Sequence, residues 1–164
     1  MTRTGLVIGA LLTLGCGRGH TGGSGSSLSG QEGRYKTGSP GKGWSQVRPG
    51  GADRAWFHRQ TGSTIYFDSN CKARYEDKPL ASLITHLTLG MAQGEPLREE
   101  SMTLAGREAL LRVYGGSVDG VAVQLSAVVI KKSACIYDGL YISSPSEFDA
   151  GLESFRRVLK GFKT

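Results

Sequence analysis

The chain has 164 residues, room for one hydrophobic core and not for two. Its 20 basic and 14 acidic residues give a net charge of +6, and loss of Arg3 with a cleaved leader would lower that by one. The basic residues are dispersed. Arg156-Arg157 and Lys131-Lys132 are the tight pairs, and no run reaches the length of a nucleic-acid-binding tail, so no nucleic-acid partner is expected. The excess reads as the solvated surface of a small exported domain, or as a face for anionic lipid headgroups.

The first sixteen residues set the address. Arg3 is followed by an apolar run over residues 6–14 that leads into Thr13-Leu-Gly-Cys16. A positive start, a short apolar stretch and a small residue at the cut are the three parts of a secretory signal. The run is far shorter than the ~20 residues that span a bilayer as a helix. The box resembles a bacterial lipoprotein signal, which implies residues 1–15 as a signal peptide and Cys16 as the lipidated first residue of the mature chain. Thr13 stands where such signals usually carry Leu. Gly17 is not the Asp that retains lipoproteins at an inner membrane, so an outer membrane is favoured if the source is Gram-negative. An ordinary secretory signal and a buried N-terminal strand are the other readings.

Residues 16–42 hold little to bury. Gly, Ser and Thr dominate, Leu28 and Tyr35 are the large apolar or aromatic side chains, and the composition predicts a flexible tether of about 30 Å span. The domain is expected over residues 43–164. Residues 55–58 and 63–67 are β-rich and flank Gln60-Thr-Gly62, a hairpin pattern. Asp68-Ser-Asn70 reads as a turn ahead of Cys71. Asp77-Lys-Pro79 then predicts a helix start capped by Asp77, with Leu80, Leu83, Ile84, Leu87 and Met91 at helical spacing and an end at Gly90 or Gly94.

Strands are expected next at residues 97–104 and 109–114, turned at Ala105-Gly106. Val118-Asp-Gly120 is a further turn. Residues 121–130 are almost wholly apolar, as in a central strand covered on both faces. Lys131-Lys-Ser133 should turn the chain into a last strand over residues 134–142, with a bulge at Gly139. Ser144-Pro-Ser-Glu147 has the form of a capping box, and Phe148, Leu152, Phe155, Leu159 and Phe162 form one helical stripe that should pack on the sheet. Together these elements predict an α+β fold. It is an α/β/α sandwich with a mostly antiparallel sheet of about six strands, one helix after the first hairpin and one at the C-terminus.

Over residues 44–162 the chain resembles the PsbP-like (DcrB-like) family, named for an extrinsic protein of photosystem II and including small bacterial envelope lipoproteins. The resemblance rests on Ala55-Trp-Phe-His58, Ile65-Tyr-Phe67, Asn70-Cys71, Leu104-Ala-Gly-Arg-Glu-Ala109, Val128-Val-Ile-Lys-Lys132, Cys135-Ile-Tyr-Asp138 and Gly161-Phe162. These are fold patterns. They imply the same sandwich and an accessory or scaffolding role, and they carry over no binding residues.

With Cys16 taken by lipid, Cys71 and Cys135 read as a disulfide in an oxidising envelope. It would close a loop of about 64 residues, worth roughly 4 kcal/mol by chain entropy. Neither cysteine has the helix N-terminus or neighbouring base that activates a nucleophile. His20, His58 and His86 lack metal-ligand spacing. Ser63, Ser69 and Ser126 lack a nucleophile elbow. No catalytic, metal-binding or cofactor-binding residue is expected. The function expected is a lipid-anchored envelope protein, its domain in the periplasm or at the cell surface, acting as a non-enzymatic accessory or interaction module. Its partners would be the membrane, through the N-terminal lipid, and an envelope protein. A small-ligand-binding envelope protein and, further off, a cysteine-dependent exported enzyme are the alternatives.

Overall fold

The computed structural model describes residues 35–48, 50–71 and 77–164. The signal, Cys16 and residues 17–34 lie outside the described residues.

Seven strands and two helices follow one another as β1 (Trp44–Val47), β2 (Arg54–His58), β3 (Ser63–Asn70), α1 (Leu80–Leu87), β4 (Ala92–Leu104), β5 (Arg107–Val118), β6 (Val121–Lys132), β7 (Cys135–Ser143) and α2 (Phe148–Lys160). The strands form one antiparallel sheet in the order β1-β2-β3-β7-β6-β5-β4. Two meanders, β1 to β3 and β4 to β7, are joined where β3 pairs with β7. α1 lies against β5 and β6, and α2 against β6 and β7. The α+β sandwich expected from the sequence is present, with seven strands rather than six. The additional strand is β1, four residues on an edge, too short to show a period.

Each helix covers its own half of a period-two pattern. Ala109, Leu111, Val113, Val128, Ile130, Tyr137 and Tyr141 bury one sheet face under the α2 stripe of Phe148, Leu152, Phe155 and Leu159, with Phe162 just beyond the helix end. Each large side chain so buried contributes on the order of 1.5–3 kcal/mol. On the other face Leu110, Tyr114, Leu125, Ala127, Val129 and Ile136 pack around Ile84 of α1. β6 is therefore buried on both sides from Leu125 to Ile130, as its unbroken apolar run implied.

Several local readings are corrected. Packing begins at Tyr35, ahead of the boundary expected at residue 43: its ring is buried among Phe67, Tyr137 and Phe162. Lys36 and Lys163 exchange backbone hydrogen bonds of 2.7 and 2.9 Å, and the Gly38 amide donates to the Val158 carbonyl. Gly38 passes so close to α2 that a Cβ there would lie 2.2 Å from the Arg157 carbonyl oxygen. A single tyrosine in a polar stretch gave no sign of this strap.

Asp77 does not cap α1. Pro79 holds the N-cap position with an extended ψ of 146°, and no side chain bonds the free amides. The Ser144 capping box does not form either. Residues 145–147 make a turn, the Glu147 amide donates to the Ser144 carbonyl, and α2 starts from Glu147 as N-cap. The β7 ladder runs unbroken through Gly139 on both sides, so there is no bulge. The glycine is needed for another reason: a Cβ there would lie 2.5 Å from the Phe67 ring. Finally, Asp68-Ser-Asn70 is strand rather than turn, because β7 supplies partners as far as Asn70.

Candidate functional site

The ladder that continues through Asp68 and Asn70 also places the cysteines. Asn70 faces Ile136, so Cys71 and Cys135 fall at the next opposed position, and they are joined in a disulfide. It ties the end of β3 to the start of β7, next to the turn at Ser133 and Ala134, the point where both meanders meet.

Beside it opens a cavity of about 700 Å³, bounded by Leu80 and Ala81 at the start of α1 and by Arg107, Lys131, Lys132 and Cys135. The tight lysine pair and Arg107 thus gather at one end of the sheet. Lys131 Nζ donates to the Lys78 carbonyl at 2.8 Å and Lys132 Nζ to the Ala105 carbonyl at 2.9 Å. Both ammonium groups fasten turns to the sheet end.

A second cleft, of about 290 Å³, lies on the same sheet face further along. Asp68 and Asp138 are direct cross-strand partners on β3 and β7, so both carboxylates project to this side. Tyr66, Leu87, Leu140 and the backbone of Gly50 and Gly51 form the remaining walls. The Asp138 Oδ1 is shut off from solvent and has no hydrogen-bond partner. Burial, and then the negative charges of Asp68 and Asp53, push the Asp138 carboxyl up to about 7. Asp53 accepts a hydrogen bond from Ser69 at 2.7 Å. Tyr35 is pushed above the usual phenol range by burial first and by Asp53 next, while the Arg54 guanidinium sits 5.5 Å from its ring centre.

His58 and His86 stand apart from both cavities. His86 is exposed on α1. His58 packs edge-on against Trp44 and lies 3.0 Å from the Thr61 hydroxyl through Nδ1. From Thr61 a chain of hydroxyls runs to Ser63 and on to Ser143, with steps of 2.7 and 2.8 Å. Both serines are buried. The network satisfies hydroxyls under the sheet end and offers no exposed nucleophile. Among the described residues no three His, Cys, Asp or Glu side chains come together as a metal site. No described helix is long and apolar enough to cross a membrane.

Sequence reasoning missed the acidic cleft because it read Asp68 as part of a turn. Only the β3–β7 register, set by residues 70 positions apart, brings Asp68 and Asp138 together.

No protein-family model matches the chain, and no curated protein is significantly similar to it in sequence. Solved structures are similar in fold. LpqN, a protein involved in cell envelope biogenesis of Mycobacterium tuberculosis, superposes with a TM-score of 0.55 at 11% identity, over 79% of this chain and 82% of its own. The cyanobacterial PsbP protein CyanoP from Synechocystis sp. PCC 6803 does so with a TM-score of 0.52 at 13% identity, over 75% and 82%. The described chain has a PsbP-like fold.

Proposed function

We propose that this chain is a lipid-anchored envelope protein whose folded domain serves as a non-enzymatic accessory or protein-interaction module. The observation that carries the reading is the Cys71–Cys135 disulfide. Such bonds persist in oxidising compartments, which is where an N-terminal pattern ending in Thr13-Leu-Gly-Cys16 sends a chain. The fold supports it too, since a similar sandwich serves LpqN in envelope biogenesis. A role without chemistry is favoured by the way the polar side chains are used. Lys131 and Lys132 bond backbone carbonyls, and the hydroxyl chain from His58 ends in buried serines.

The test is an intact mass of the protein extracted from its native membrane and alkylated without reductant. The expected mass lacks residues 1–15, carries acyl chains on Cys16 and shows no alkylation. Cys16→Ser should move the chain out of the membrane fraction. An unlipidated mass, or an unchanged membrane fraction for the variant, would overturn the anchor. Turnover of a substrate that depends on a described residue would overturn the accessory role. The acidic cleft favours a second role, the binding of a small ligand.

A further inference from the structure

We propose that the cleft between β3, β7 and the loop at residues 50–52 binds an organic cation: a primary ammonium or a guanidinium on a short alkyl stem. The site is a property of the folded domain and stands whether or not Cys16 is acylated.

Three features of the cleft select this ligand. First, Asp68 and Asp138 face each other across the ladder and line the same cavity, so negative charge is concentrated in one place. Second, the Asp138 Oδ1 is closed off from solvent with no donor to meet it. A buried acceptor without a partner is costly, and a turn of the carboxyl about its soft terminal torsion would bring that oxygen to a ligand N–H and remove the cost. Third, the other walls are aromatic and aliphatic. Tyr66 offers a ring to a cation, while Leu87 and Leu140 suit an alkyl stem. Gly50 and Gly51 keep side chains out of the space. At about 290 Å³ the cleft holds one side-chain-sized group and no folded element. Two carboxylates with apolar walls fall short of the six or more oxygens that a hard divalent ion takes.

The charge of the site depends on pH. The charges that act on Asp138 are those of Asp68 on β3 and of Asp53 ahead of β2, whereas β6 places Val129 opposite it and α1 contributes Leu87. With its carboxyl at about 7, Asp138 ionises as pH rises through neutrality, so a cation should bind more tightly at pH 8 than at pH 6.

The test is titration of the 15N-labelled full chain in detergent micelles with n-butylammonium, with n-butylguanidinium and with the capped peptide acetyl-Gly-Arg-Gly-amide. Saturable shifts are expected at the amides of Gly50, Gly51, Gly139 and Leu140. They should weaken at least tenfold in Asp138→Asn, whose remaining spectrum reports that it is folded, and also in Asp68→Asn. Neutral n-pentanol should leave these amides unmoved. A peptide that binds better than the free cations identifies an arginine side chain of a partner protein as the source. Equal or better binding of the free cations identifies a soluble amine. Absence of saturation with all three probes, equal binding by Asp138→Asn, or equal shifts with n-pentanol would overturn the site.

Discussion

At the scale of single residues, Asp138 has an environment that its sequence context does not announce. It lies in an ordinary strand, between Tyr137 and Gly139, and its neighbours along the chain do nothing unusual to it. Burial and the charges of Asp68 and Asp53 raise its carboxyl from 3.8 to about 7. Between those two values the folded protein holds a proton that the unfolded chain has lost. The contribution of this group to stability is therefore complete below the lower value and is lost as pH rises through the upper one. Asp138→Asn removes the titration. Relative to wild type, the variant should gain ~2 kcal/mol or more between pH 4 and pH 8, since each pH unit in that window carries about 1.4 kcal/mol. Urea unfolding of both proteins at the two pH values measures this. A constant difference between them would show that Asp138 is not perturbed.

At the scale of elements, the hairpins carry the sharpest local consequences. Registers of Leu104 to Arg107, Val118 to Val121 and Lys132 to Cys135 make each loop two residues long. Both loop residues then take positive φ in every case, the pattern of a type I′ turn. Asp119-Gly120 suits that geometry, which is why this turn is legible in the sequence. Ser133-Ala134 does not suit it: φ is 53° and 60° with no glycine to relieve it. The sequence accordingly points two residues early, to the lysines. Ala134 is exposed, so Ala134→Gly should stabilise the protein by about 0.5–1 kcal/mol, seen as a higher urea midpoint with an unchanged slope. A loss of stability would mean that the turn adopts another backbone conformation. Helix starts are the least legible elements. Their capping patterns are present, but Pro79 and the 145–147 turn shift the first residue of each helix further along the chain.

At the scale of the whole molecule, the β3–β7 ladder is the join on which everything else depends. It pairs segments about seventy residues apart, so forming it costs loop-closure entropy that a local hairpin does not. The disulfide sits at the end of that ladder and closes a separation of 64 residues. Replacing both cysteines by alanine should cost about 2–4 kcal/mol, measured by urea unfolding against the oxidised wild type. An unchanged midpoint would mean that the ladder alone holds the two meanders together. The tyrosine strap at residue 35 acts on the same scale. It lays Tyr35 into the aromatic cluster under α2, and Arg157 fastens the following segment through two bonds to the Pro40 carbonyl at 3.1 and 2.7 Å.

What the sequence determined by itself is whatever depends on near neighbours along the chain. The α2 stripe, the double-sided apolar run of β6 and the Asp-Gly turn all follow from spacings of one to seven residues. The α+β sandwich follows from their order, and the cysteine pair from counting thiols. The tertiary structure alone decided which strands meet across the middle of the sheet. It thereby decided that Asp68 is strand and faces Asp138, that Gly139 makes room for Phe67, and that Tyr35 belongs to the core. Each of these rests on a contact between residues far apart in the chain. Such contacts are selected by the packing of the whole core, and no local period records them.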